Sequence, residues 1–347
     1  PQSLDYQPCK GGISFMSVGF LITIEPLGFL YGSAGRFLSP ENLVGRSGTS
    51  FPPSAATVSG LYALHYDTDS LKSLIIAGPF WSYLDRPQDF RVPIPYNYLV
   101  KNQQIQHQLV WNGQKWETKS GTPPTGKFDK GGGWIPISQW DSPQQVESDP
   151  WEYVPHLHPR LETDQRKVEA SSDRGSLFLE NAVQLHPDTC LVYLSNTPLD
   201  NGWYRFGGEG HFVNLRCLKL DRNVQTLLQQ PLGQHFALIT PAVWGSNRYS
   251  YRFPILSHQQ EVTPAWSMDT LLTERPQTFR YRLGGDGETK RLSRGRYAVP
   301  AGSVYVLSNP LTEPWENWKE SWFPKEAYSY KRWGCGLCLP LSNGEMN

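Results

Sequence analysis

Little of this sequence is charged, and neither sign is in excess. Charged residues make up 18% of the chain, and 32 Lys and Arg balance 32 Asp and Glu. That excludes a uniformly basic nucleic-acid coat and a strongly acidic solvating protein, while leaving room for a local basic groove. Long apolar runs are missing as well. The stretch Ile13–Ile24 is broken by Ser14, Ser17 and Thr23, too short for a membrane span, so no membrane partner is expected. With Lys10 before it, the stretch imitates a secretion signal, but its continuation as Ile22-Thr23-Ile24-Glu25 reads as a strand. Cysteines are few, odd in number and scattered (Cys9, Cys190, Cys217, Cys335, Cys338). They suit reduced thiols in a cytoplasm. There is no GxSxG nucleophile elbow and no GxxxxGK[ST] phosphate loop.

What the chain has is aromatics, glycine and proline: 13 Trp, 17 Tyr, 15 Phe, 31 Gly and 29 Pro in 347 residues. This is the composition of a strand-rich, loop-rich protein, and the length suits about two domains. Residues 18–31 read as a core strand, Ser54–His65 as a helix behind Pro52-Pro53, and Leu71–Ile76 as a strand closed by Gly78-Pro79. Residues 101–150 are polar and Gly-rich and read as an extended hairpin or a mobile insertion. Strands follow near 176–179, 190–194, 213–220, 236–240, 279–283, 296–299 and 304–307, with short helices over 223–232 and 312–322. The expected class is α+β in two units, 1–150 and 151–347.

Four features could carry chemistry. Cys335-Gly336-Leu337-Cys338 lacks the second pair that zinc requires, and His156-Leu157-His158 stands alone. Buried thiols and loop histidines account for both, so no metal and no cofactor is expected. The loop Arg205-Phe206-Gly207-Gly208-Glu209-Gly210-His211 could line an anion nest with backbone N–H groups. His211 could serve a metal-independent ribonuclease as a base, and a tight turn with a solvent-facing histidine explains the same residues. Two further glycine loops are Tyr31–Arg36 and Trp333–Leu337, which contain Arg36 and Gly334. Finally, Arg275, Arg280, Arg282, Lys290, Arg291, Arg294 and Arg296 set seven cations against Glu274, Asp286 and Glu288. Phe279, Tyr281, Tyr297 and the run Arg248-Tyr249-Ser250-Tyr251-Arg252 interleave with them. Cations fix phosphates and rings stack bases, although a solvated hairpin face would look similar. Tyr281, alternating with its arginine neighbours, is expected in the core.

Several segments together resemble one family. These are Ile22–Leu30 through Gly35-Arg36-Phe37, Phe51–Gly60, Gly78-Pro79-Phe80, Val92-Pro93-Ile94-Pro95, Gly207–Gly210, Tyr297–Tyr305 and Gly334-Cys335-Gly336. The pattern is similar to subunit three of the Cmr effector complex of type III-B CRISPR systems, a Cas five-like member of the RAMP superfamily. The resemblance implies two ferredoxin-like, RRM-related units with long loop or hairpin insertions and no nuclease activity. It also implies a grip on the repeat-derived 5′ tag of the crRNA, and docking to the large palm-domain subunit and the first backbone RAMP subunit. The residues expected at RNA are Arg36, Arg205, Gly207, Gly208, Gly210, His211, Arg275, Arg280, Arg282, Arg294, Arg296 and Gly334. Two rival readings are another type III Cas five-like subunit and a metal-independent RAMP endoribonuclease that processes precursor crRNA.

Overall fold

The computed structural model describes residues 17–30, 51–121, 123–159, 167–168, 177–207, 210–246, 248–257, 262–281 and 292–342. Among these the chain is mostly β, with two short α-helices. The first sheet draws on β1 (Phe20–Pro26), β2 (Ile76–Tyr83), β3 (Arg91–Pro93), β7 (Trp134–Pro136), β10 (Thr189–Ser195), β11 (Gly202–Phe206) and β12 (His211–Lys219). Between them, β4 (Tyr98–Lys101), β5 (Gln104–Trp111) and β6 (Trp116–Thr118) form a small sheet. A long hairpin pairs β8 (Trp151–Pro159) with β9 (Leu177–Leu185).

The seven strands lie in the order β11-β12-β1-β10-β2-β3-β7, antiparallel throughout. Every residue of β10 is buried, as its unbroken apolar run requires of a strand covered on both faces. Helix α1 (Ala55–Tyr62) starts after Ser54 and buries Ala55, Val58, Leu61 and Tyr62 against this sheet, one stripe at helical spacing. A second sheet is built from Met268–Leu272, Val304–Leu311, Gly233–Leu238 and Cys338–Pro340, in that order. Its core is aromatic: Phe236, Trp244, Trp266, Tyr305 and Trp318 pack with ring centroids 5.1–6.0 Å apart, edge-on and offset contacts that rings favour.

The core strands of each sheet share one order. Counted along the chain, β12-β1-β10-β2 is fourth, first, third, second, and the second sheet repeats it in mirror listing. Helix α2 (Arg222–Leu228), capped by the Asp221 side chain accepting from the Asn223 N–H at 2.8 Å, stands between the sheets in sequence.

Several expectations are corrected here. Residue 150 falls inside the first sheet, since both neighbours of β1 lie beyond it and the sheets divide near residue 220. Of the two readings of the polar stretch after residue 100, the extended hairpin is found, as β4-β5-β6. The stretch is not a loose insertion throughout, because Ile135, Trp140 and Val146 are buried. The strand expected over 71–76 is a 3-10 turn at Ser70–Ser73 followed by β2, which runs straight through Gly78-Pro79. The opposing register shifts between Val192 and Leu194, so a bulge accommodates the proline. The helix expected over 312–322 is two 3-10 turns, Trp315–Asn317 and Glu320–Trp322, held between Pro314 and Pro324 by the aromatic core. No helix among the described residues is long and apolar enough to cross a membrane.

Candidate nucleic-acid interface

The two sheets are locked together along one seam. Gly334 lies on β2, where an added Cβ would sit 2.4 Å from the Ala77 Cα. Arg332 donates to the Leu74 carbonyl at 3.0 Å and also to that of Leu71. The Trp140 indole donates to the Pro340 carbonyl at 2.7 Å, and the Tyr96 N–H to that of Gly302 at 2.7 Å. Beside this seam opens a cleft of about 980 Å³.

Several pieces of the chain wall the cleft. Five of them are the first turn of α1 (Ser54–Thr57), the loop 129–134, Gly207 at the tip of the β11–β12 hairpin, the segment 277–281, and Trp333 with Cys335. Glycine permits the second piece. Gly131, Gly132 and Gly133 all have positive φ, and a Cβ on Gly132 or Gly133 would come within 2.6 Å of Ile94 or Val146. Phe51, Pro52, Pro53 and Tyr96 add apolar surface. Burial, reinforced by Glu274, pushes the Tyr96 phenol well above its ordinary pKa, so the ring enters the cleft neutral.

The charge pattern is not that of a phosphate trough. Asp129, Glu147, Asp149 and Glu274 line the cleft together with Lys130 and Arg280. Glu147 is neutralised by the buried Arg91, whose Nη2 lies 2.8 Å away, and accepts from the Tyr83 hydroxyl at 3.0 Å. Asp149 accepts from the Trp134 indole at 2.7 Å and Glu274 from the Gly131 N–H at 3.1 Å. The lining therefore offers acceptors and ring faces beside two cations. Lys130 is exposed and Arg280 half-buried; the Arg280 Nε donates to the Ser293 carbonyl at 2.7 Å.

Of the residues expected at RNA, the structure brings Gly207 and Arg280 to this one cleft, with Gly334 directly behind its wall. Gly207 and Gly210 both hold positive φ at the hairpin tip. Arg275 and Arg294 are exposed, and the Arg294 N–H donates to Glu326 at 2.9 Å. His211 opens β12 opposite Phe206 and is half-buried. Arg205 does not line the cleft; its guanidinium lies 5.1 Å over the Phe212 ring. Arg296 is a correction. It is 3% exposed, pairs with Glu326 at 2.7 Å, donates to the Ser246 carbonyl at 2.6 Å and touches the Tyr330 hydroxyl at 3.1 Å. It cross-links the second unit and presents no surface to a ligand. Gly334 likewise serves packing, being buried against β2. Arg36, Gly208 and Arg282 lie outside the described residues. Tyr281 is in the core as expected, its hydroxyl donating to the Glu326 carbonyl at 3.2 Å, and burial pushes its pKa up to about 12.

Cys335 and Cys338 are buried thiols, and burial pushes both pKa values up. Among the described residues no three His, Cys, Asp or Glu side chains gather as a metal would need. Sequence reasoning missed the loop at Lys130–Trp134, although a cation before three consecutive glycines was a legible signal. It also missed the acceptors Glu147 and Asp149, which are met only once β7 closes on β3.

Two antiparallel sheets of one strand order, meeting at an acceptor-lined cleft, define the architecture. Sequence comparison supplies the family: residues 83–343 match the CRISPR-associated protein Cas_Cmr3, and the chain belongs to that family. No curated protein matches the sequence. Among solved structures, similarity is found to a chain of the type III-B Cmr-beta complex bound to cognate target RNA, at 12% identity over 82% of this chain and 86% of that one, with a TM-score of 0.46. A chain of a Csm1-Csm4 cassette in complex with pppApA matches at 11% identity over 85% and 97%, with a TM-score of 0.32. A chain of a type III-A Csm3-Csm4 subcomplex matches at 8% identity over 85% and 94%, with a TM-score of 0.34.

Proposed function

We propose that this chain is a non-catalytic subunit of a type III-B Cmr effector complex that holds the 5′ tag of the crRNA across the cleft between its two ferredoxin-like units. The observation that carries this reading is the convergence of Gly207, Lys130 and Arg280 with acceptors and ring faces on the lining of one cleft. Splayed bases would enter it, offering amino groups to Asp129, Asp149 and Glu274 and faces to Phe51 and Tyr96. Phosphates would stay at the rim, on Lys130, Arg280 and the backbone of the hairpin tip. Docking to the large palm-domain subunit and the first backbone subunit belongs to the same proposal, as does a cytoplasmic location.

The test is guide-RNA affinity across a salt series. Lys130→Ala and Arg280→Ala should each make the slope of log affinity against log salt shallower by about 0.7, the single-strand value per phosphate contact. An unchanged slope in the double variant would remove the rim from the RNA path.

The rival ribonuclease reading gives the base to His211, which opens β12 and is not among the residues lining the cleft. The purified chain should leave repeat RNA intact. Saturable cleavage that disappears in His211→Ala would establish the enzyme instead.

A further inference from the structure

The outward face of the β11–β12 hairpin carries a second surface, which the cleft does not use. Strand β11 forms the edge of the large sheet. Its five pairs with β12 run without a register shift, and it contains neither proline nor lysine. Edge strands are ordinarily blunted by such devices, because their unpaired N–H and C=O groups are a template for another strand.

The side chains on this face make the edge adhesive. By alternation, Trp203 and Arg205 share a face with Phe212, Asn214 and Arg216 of β12 and Glu25 of β1. Trp203 is 75% exposed, and Phe212 and Leu27 are each 50% exposed. Leu27 continues the β1 edge of the patch, its N–H donating to the Phe212 carbonyl at 3.1 Å. Arg205 and Arg216 are exposed, while Glu25 accepts from the Asn214 amide at 2.9 Å. Beside its two arginines and two rings the patch carries the aliphatic Leu27 and the Glu25 carboxylate, which suit a protein better than a polyanion. A protein would meet the tryptophan, phenylalanine and arginine that dominate protein interfaces.

We propose that β11 accepts an extended segment of a partner protein as an added strand. Side chains of that segment would cover Trp203 and set a carboxylate against Arg205, and the partner surface beside it would cover Phe212 and Leu27 and meet Arg216. The proposal rests on reading this chain as a subunit of an assembly and is independent of its binding RNA.

The test is amide hydrogen exchange on the full chain, free and assembled with the other subunits of its complex without guide RNA. Exchange at Gly202–Phe206 should slow at least tenfold on assembly. Trp203→Ser and Arg216→Glu should each weaken assembly at least tenfold while leaving the free chain's RNA affinity unchanged. Equal exchange in both states overturns the proposal. So does protection produced by RNA alone, which would make this a nucleic-acid surface, or protection that rises with the free chain's own concentration, which would make it a self-association surface. Protection on assembly in a chain that binds no RNA would uphold this proposal and overturn the tag-binding one.

Discussion

Gly334→Val is expected to cost this protein about 3–5 kcal/mol, a large share of the stability of an ordinary domain. Two costs combine. Gly334 holds φ 64° and ψ 17° at the end of the 3-10 turn Tyr330–Trp333, a left-handed conformation that costs an L-residue about 1–2 kcal/mol. The new side chain would also enter β2, with its Cβ 2.4 Å from the Ala77 Cα and 2.9 Å from the Ile76 carbonyl oxygen. Those atoms are backbone of a central strand and cannot turn aside, and overpacking of this kind costs about 1–3 kcal/mol, more for a branched chain. Gly113→Ala separates the two effects. Gly113 has φ +93° with no atom within 4 Å of its added Cβ, so only the backbone cost of about 1–2 kcal/mol should appear. Urea unfolding of both variants checks the prediction. If Gly334→Val unfolds at the wild-type midpoint but binds RNA poorly, the glycine is a ligand contact and its assignment to packing is wrong.

Arg296→Ala should destabilise by a similar amount, about 3–5 kcal/mol, because it leaves the carboxylate of Glu326 buried without its partner. The side chains of Arg296 and Glu326 are only 3% and 13% exposed, and the guanidinium also lies 5.2 Å over the Tyr330 ring. Removing both charges, as Arg296→Met with Glu326→Gln, should recover much of the loss, since a buried pair replaced by neutral groups of similar volume is often close to neutral. The salt slope of RNA binding should not change in either variant. A stable Arg296→Ala protein with a shallower slope would return Arg296 to the RNA surface.

These two residues show what the sequence could and could not convey. β10 and the core of β1 were legible because a strand buried on both faces leaves an unbroken apolar run, and β12 because it alternates. α1 was legible from its stripe behind two prolines. β2 was misplaced because Gly78-Pro79 reads locally as a stop, whereas the strand continues with these two residues bulged opposite Tyr193 of β10. The unit boundary was misplaced because composition registers a polar hairpin, whereas the sheet is defined by pairing of β1 with residues about 170–200 positions away. Within the site, the glycine tip at Gly207 and the cation at Arg280, both legible as candidates, line one cleft. Arg296 was not separable from its neighbours: an arginine in a basic stripe looks the same whether it faces solvent or a carboxylate thirty residues on. Trp203 gave no signal either, since its exposure depends on β11 being the last strand of the sheet.

On the function proposed above, the cleft between the two sheets holds the 5′ end of the guide. Photocrosslinking of a guide RNA labelled throughout its 5′ tag, in the assembled complex, with peptide mapping on this chain, tests it most directly. Crosslinked peptides should span Phe51–Thr57, Lys130–Trp134 and Gln277–Tyr281, which line that cleft. Crosslinks of the tag to other subunits alone, or to this chain only at surfaces remote from those three segments, would contradict it.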